Sequence, residues 1–75
     1  MNVEIRLRKL ESHYRAALSA TVAAKARYLA IEGELGSTAA AIARAEAVWQ
    51  RLELRKASLV AQMAELERFE QTAAV

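Results

Sequence analysis

The stretch AIEGELGSTAAA, residues 30–41, contains both glycines of this 75-residue chain. On either side the composition favours helices, because Ala is abundant, Pro is absent and all nine acidic residues are Glu. The chain is therefore expected to be all-α. The glycine-containing stretch decides between one long helix and two helices that fold back on each other.

Local residue preferences in this stretch favour a turn. Two glycines in a helix interior cost about 1 kcal/mol each relative to Ala. Gly36 suits the left-handed position just after a helix, and Ser37 is a favoured residue at a helix start. We predict a first helix at about 3–34, a turn at about 33–37, a second helix at about 38–70 and a frayed tail at 71–75.

A seven-residue repeat of apolar residues runs along the chain and passes the glycines without a phase shift. Its two columns, positions a and d of the heptad abcdefg, are typical of a coiled-coil seam. Column a contains Leu7, Tyr14, Thr21, Tyr28, Leu35, Ile42, Trp49, Lys56, Met63 and Glu70. Column d contains Val3, Leu10, Ala17, Ala24, Ile31, Thr38, Ala45, Leu52, Leu59, Leu66 and Ala73. The unbroken repeat favours a continuous helix, which is the alternative to the turn.

Packing across the seam favours the turn. In a parallel pair of straight helices each layer meets its own copy, so Ala17, Thr21 and Ala24 would form successive layers of small side chains. A hairpin instead places Trp49 across from Thr21 and Ala24, and Tyr28 across from the Ala-rich start of the second helix. We therefore predict an antiparallel two-helix hairpin of the coiled-coil type.

The sequence offers no constellation for catalysis or for a cofactor. It contains no Cys and no Asp, and His13 is its single His, so neither a nucleophile triad nor a structural zinc site can be assembled. The segment GELGS, residues 33–37, lacks the Lys that follows the glycines of a phosphate-binding loop. We expect a protein that is not an enzyme and that uses no cofactor, metal ion or small-molecule substrate.

Charged residues interrupt every apolar run near the amino terminus. The sequence therefore shows neither the apolar region of a signal peptide nor a span of about 20 apolar residues that could cross a membrane. We expect a cytoplasmic protein without a membrane partner.

The first helix carries more apolar residues than a two-helix seam can use. Leu18, Val22 and Leu29 widen its apolar arc to roughly 150°, and so short a chain has little core of its own. We expect hairpins to pair as a homodimeric four-helix bundle, and a groove for a larger helical protein is the alternative. The candidate interface residues are Tyr14, Leu18, Val22, Leu29, Val48, Trp49, Val60 and Phe69.

Four basic residues, Arg6, Arg8, Lys9 and Arg15, lie close together near the amino terminus. On a helix Arg8 and Arg15 share one face, Lys9 is adjacent and Arg6 points elsewhere. The net charge of +2 is too small to indicate nucleic acid by itself. An accessory nucleic-acid-binding protein, making weak and sequence-independent contacts through this patch, is a further alternative.

The segment Val48-Trp49-Gln50-Arg51 also occurs in a group of small helical-hairpin proteins. In this segment and in outline, the chain resembles the co-chaperones of type III secretion needle subunits, which are short, Cys-poor pairs of helices joined by a Gly-containing turn. The likeness in sequence is confined to these four residues. The resemblance implies a larger helical-repeat protein as the partner and implies no catalytic residues.

Overall fold

The protein is described by a computed structural model that covers residues 2–73, apart from the side chain of Ala73. Two helices, α1 (Val3–Gly33) and α2 (Ala39–Ala73), pack against each other along a body of 60 × 15 × 14 Å. Residues 2–73 contain no β-strand. The predicted all-α hairpin is confirmed, and the continuous helix is excluded.

The first helix begins at a side-chain cap. The Oδ1 atom of Asn2 accepts hydrogen bonds from the backbone N–H groups of Glu4, at 3.0 Å, and Ile5, at 3.4 Å. These two N–H groups have no partner within the helix, so the cap satisfies donors that would otherwise be left to water. The carboxylate of Glu4 also lies in the first turn, where the helix dipole favours negative charge.

The connection between the helices is a tight turn centred on Leu35 and Gly36. The N–H of Glu34 donates to the carbonyl of Ile31 at 3.2 Å, and the N–H of Ser37 donates to the carbonyl of Glu34 at 3.4 Å. Gly36 has a φ of 96° at the third position of this β-turn, where a type II turn requires positive φ. Leu35 was predicted in column a of the seam, but it lies in the turn and is fully exposed.

The second helix begins one residue later than its sequence suggests. Thr38, rather than the predicted Ser37, is the N-cap, because its Oγ1 atom accepts from the N–H of Ala41 at 3.1 Å. Ser37 lies one residue earlier, in the turn, where its backbone N–H donates to the carbonyl of Glu34. The helix includes residues 71–73, which we predicted as part of a frayed tail, and no Gly or Pro interrupts it. Residues 74 and 75 lie outside the described residues.

The seam follows the predicted heptad register. Inside α1 and α2, every a and d side chain that the structure describes is buried or half-buried, except that of Glu70. Ala17, Thr21 and Leu59 are the only buried residues in the range 2–72. Lys56, a charged residue at an a position, is half-buried, and its Nζ atom reaches Glu53 Oε1 at 3.1 Å. Its aliphatic chain therefore fills the seam while its ammonium group stays paired at the edge.

Candidate interaction surfaces

The antiparallel pairing gives the hairpin two long sides that differ in composition. In this arrangement the g positions of one helix lie beside the g positions of the other, and the e positions likewise lie together. We call the side formed by positions g and c the basic flank, and the opposite side formed by positions e and b the acidic flank. Two grooves lined by residues at positions g, c and d confirm the juxtaposition of the g positions.

The larger groove lies on the basic flank at the open end of the hairpin, and its volume is about 660 Å³. Its floor is apolar, formed by Leu10 and Leu66 from column d, with Phe69 at its side. Its rim is polar on both helices. The rim residues are Arg6, Lys9, His13, Gln62 and Glu65.

The smaller groove lies on the same flank near the turn, and its volume is about 350 Å³. Arg27 and Arg44 stand on its two sides, one on each helix. Its apolar residues are Ala24, Ile31, Ala41, Ala45 and Val48. Both grooves thus combine an apolar floor with basic side chains on the rim.

The charges of the two flanks have opposite signs. Within residues 2–73, the basic flank carries six exposed Arg or Lys side chains and two Glu, which are Arg6, Lys9, Arg27, Arg44, Arg51, Arg55, Glu34 and Glu65, with Glu34 in the connection between the helices. The acidic flank carries six Glu and three Arg or Lys side chains, which are Glu4, Glu11, Glu32, Glu46, Glu53, Glu67, Arg8, Arg15 and Lys25. A small net charge therefore conceals a strong separation of charge across the hairpin.

The predicted interface residues are distributed over three places. Leu18, Val22, Leu29 and Val60 are exposed and occupy e and b positions on the acidic flank. Val48 and Phe69 are exposed and line the grooves of the basic flank. Tyr14 and Trp49 are half-buried in the seam, so these two aromatic residues hold the hairpin together.

Trp49 stacks on Tyr28, with ring centroids 5.6 Å apart and ring planes inclined by 17°. The Nζ atom of Lys25 lies 5.5 Å from the centroid of the Trp49 ring, within range of a cation–π interaction. The sequence placed Tyr28 and Trp49 across from small residues instead. The rings meet because both side chains are long enough to reach beyond their own layers.

The indole N–H of a buried Trp usually donates a hydrogen bond to an acceptor. Instead, Nε1 of Trp49 is buried and has no hydrogen-bond partner in the part of the chain that the structure describes. A buried donor without an acceptor costs about 1 to 3 kcal/mol. The stacking of the two rings therefore stabilises the hairpin, although the unpaired N–H of Trp49 lowers its free energy of unfolding.

The hydroxyl of Tyr28 donates to Glu32 Oε2 at 2.6 Å. This hydrogen bond, with desolvation and the negative charges of Glu32 and Glu46, raises the pKa of Tyr28 to about 12. Each of these causes favours the neutral phenol over the phenolate. Tyr28 is therefore a structural hydrogen-bond donor at the seam edge over the whole physiological pH range.

The structure divides the predicted amino-terminal basic patch. Arg6 and Lys9 line one groove together, whereas the sequence placed Arg6 on a different face from Lys9. Arg8 and Arg15 occupy b positions on the acidic flank among the Glu side chains. Sequence reasoning missed the basic residues of the chain's middle and second half as members of one surface. The sequence did contain the information, because these basic residues fall at g and c positions of the same heptad register.

Metal-binding clusters and membrane-spanning helices are absent from the described part of the chain. No group of three or more His, Cys, Asp or Glu side chains is arranged there to hold a metal ion. Neither helix, over its described length, is apolar enough to cross a membrane. Comparison of the chain with protein-family models, with curated proteins and with solved structures gives no match.

Proposed function

We propose that this protein is a non-enzymatic helical assembly module that works by covering its exposed apolar side chains with another helical surface. The observation that carries the proposal is the exposure of Leu18, Val22 and Leu29 on α1, with Val22 63% accessible. These side chains follow one another along a single face of the helix. Water contacts them in the isolated hairpin, and a neighbouring helix would remove that contact.

The small core supports the same proposal. Within residues 2–72, the seam buries only three residues, the largest of them Leu59. A chain of this size without disulfides or a metal site commonly gains stability by association. A second hairpin would add two helices and complete a four-helix bundle. A larger helical protein in place of the second hairpin is the other form of this proposal.

The test is to place a charge on this surface and measure the mass of the particle in solution. Val22→Glu puts a carboxylate in the proposed contact, so we expect it to shift the chain from a larger particle to the 8.3 kDa monomer. The matched control is Leu54→Glu, since Leu54 is 72% exposed at an f position that faces away from both flanks. Analytical ultracentrifugation gives the mass, and circular dichroism shows that both variants keep their helices.

Association of Val22→Glu at the wild-type affinity, with its helices intact, would contradict this choice of surface. A wild-type chain that is monomeric at every concentration would exclude the four-helix bundle of identical hairpins. The proposal of a larger helical partner would then be tested with the same two variants. Val22→Glu should no longer bind that partner, and Leu54→Glu should still bind it.

A further inference from the structure

We propose that copies of the hairpin associate through unlike flanks, with the basic flank of one copy against the acidic flank of the next. This inference rests on the proposed function, because it specifies how the assembly module meets its neighbour. It commits to a second copy of this chain as the occupant of the grooves on the basic flank. The contact is heterologous, so each copy uses two different surfaces, and this arrangement takes the place of a closed four-helix bundle of two hairpins.

Charge complementarity is the first argument. Six exposed Arg or Lys side chains with two Glu stand on one flank, and six Glu with three Arg or Lys stand on the other. Opposite potentials of this kind guide two surfaces together and oppose contacts between like surfaces. The chain therefore carries both halves of an electrostatically matched interface.

The extent of the charges is the second argument. On α1 the basic side chains run from Arg6 to Arg27, which is about 30 Å along a helix with a rise of 1.5 Å per residue. The Glu side chains of α1 extend further, from Glu4 to Glu32, which is about 42 Å and spans the whole of the basic row. Two hairpins of the same length can therefore place these rows opposite each other over most of their long sides.

Apolar side chains accompany the charges on both flanks. Leu18, Val22 and Leu29 stand out from the acidic flank, whereas the basic flank offers two grooves with apolar floors. Protruding side chains on one surface and grooves on the other are complementary in shape. Contact between unlike flanks would also cover Phe69, which is 58% exposed in the single hairpin.

Symmetric contacts use these surfaces less well. Pairing two basic flanks would bring Arg27, Arg44 and their neighbours against another basic flank. Within residues 2–73, each basic flank has two Glu side chains, Glu34 and Glu65, to offset six positive charges. Pairing two acidic flanks would leave both grooves and Phe69 in water. The contact between unlike flanks is the arrangement that covers the apolar surface of both sides and opposes unlike charges.

Because the two flanks lie on opposite sides of the hairpin, a pair formed in this way keeps one free flank of each kind. Further copies can add at either side, so the assembly grows until it closes into a ring or continues as a filament. A symmetric dimer, by contrast, stops at two copies. Contact between unlike flanks therefore differs from a symmetric dimer in two measurable ways: whether particles grow beyond two copies, and which flank variants associate when they are mixed.

The experiment uses two full-length variants, each altered on one flank. The basic-flank variant carries Arg27→Glu and Arg55→Glu, and the acidic-flank variant carries Glu11→Lys and Glu67→Lys. All four side chains are exposed. Arg68→Glu serves as the control for net charge, because Arg68 is exposed at an f position outside both flanks. Circular dichroism verifies that every variant is helical, and sedimentation velocity gives the mass of each and of their mixture.

We expect the wild-type chain and Arg68→Glu to form particles that grow with concentration and dissociate as salt is added. Each flank variant alone should associate at least about tenfold more weakly than wild type. Mixed in equal amounts, the two variants should form a 1:1 dimer and nothing larger, because each retains the one intact flank that the other needs.

Three results would overturn the inference. Unchanged association of either flank variant would show that its flank is not used, and Val22→Glu would then still test the assembly function. A mixture that stays monomeric would exclude the unlike pairing. A wild-type chain that is monomeric in low salt, including one whose basic flank binds an acidic peptide or RNA, would exclude the second copy as the occupant.

Discussion

Two segments of the same seam solve the packing of two helices in different ways. In the close-packed segment, the small residues Ala17 and Thr21 of α1 are buried together with Leu59 of α2, which is only 5% exposed. In the aromatic segment, nearer the turn, Tyr28 and Trp49 stack on each other and both are half-buried. One segment contains buried side chains on both helices, and the other pairs two half-buried rings.

The difference shows what a two-helix protein can bury without a third helix. In the close-packed segment one Leu side chain is enclosed almost completely, and dense packing around a buried side chain is stabilising. Two stacked rings cover each other's faces but stay only half-buried, and the buried indole N–H of Trp49 has no acceptor in the described part of the chain. The close-packed segment should therefore contribute more stability per buried atom than the aromatic segment.

The largest effect is expected from Leu59→Ala. Removing the largest buried side chain leaves a cavity in the close-packed segment and should lower the free energy of unfolding by about 3 kcal/mol. Leu54→Ala makes the same chemical change at a side chain that is 72% exposed, and it should cost less than about 0.5 kcal/mol. Urea unfolding followed by circular dichroism measures both. Equal losses would show that the close-packed segment is not the stability centre.

An intermediate effect is expected from Thr21→Leu. The larger side chain cannot fit where Thr21 is 3% exposed, so overpacking should destabilise the hairpin by about 2 kcal/mol. Thr72→Leu is the control, because Thr72 is exposed and its hydroxyl makes the same kind of bond, to the carbonyl four residues earlier. The same unfolding measurement applies. A neutral Thr21→Leu would mean that the helices separate easily at this layer.

A smaller effect is expected from Trp49→Phe. Phe keeps a ring to stack on Tyr28 and removes the buried N–H that lacks an acceptor, so the loss of contact area is largely offset. The net change in the free energy of unfolding should be within about 1 kcal/mol. A loss as large as that of Leu59→Ala would reverse the ranking of the two segments.

The smallest effect concerns Tyr28 and appears only in strong base. Its pKa of about 12 in the folded chain lies above the ordinary value of 10.0, so the neutral phenol is favoured by folding. That contribution is complete below pH 10 and is lost as the pH rises from 10 to 12. Absorbance of the phenolate near 295 nm follows the titration. Glu32→Gln should lower the pKa of Tyr28, and an unchanged value would exclude Glu32 as its main cause.

Much of the fold follows from the heptad register and from the two glycines. Apolar spacing identified the a and d positions that the structure buries, because both helices keep the same period on either side of the turn. The register failed at Leu35 and Thr38, where turn geometry overrides it. The five residues that connect the helices keep the heptad repeat in phase. The repeat alone therefore cannot reveal that a turn interrupts it.

Two features were harder to predict from the sequence. They are the pairs of residues that meet across the seam and the opposite charges of the two flanks. The stack of Tyr28 on Trp49 depends on how far two long side chains reach, and a list of opposed layers does not contain that information. The two flanks were encoded in the sequence, but only the antiparallel pairing brings g positions of α1 beside g positions of α2. Residues as distant in sequence as Lys9 and Glu65 then share one groove.

The stacked tryptophan gives this protein an internal reporter. Trp49 is the only Trp in the chain, and it sits in the seam rather than on either flank. Its fluorescence should therefore respond when the two helices separate and change little when whole hairpins associate or dissociate. Emission from this one residue, read alongside particle mass, would distinguish opening of the hairpin from loss of its neighbours without any attached dye.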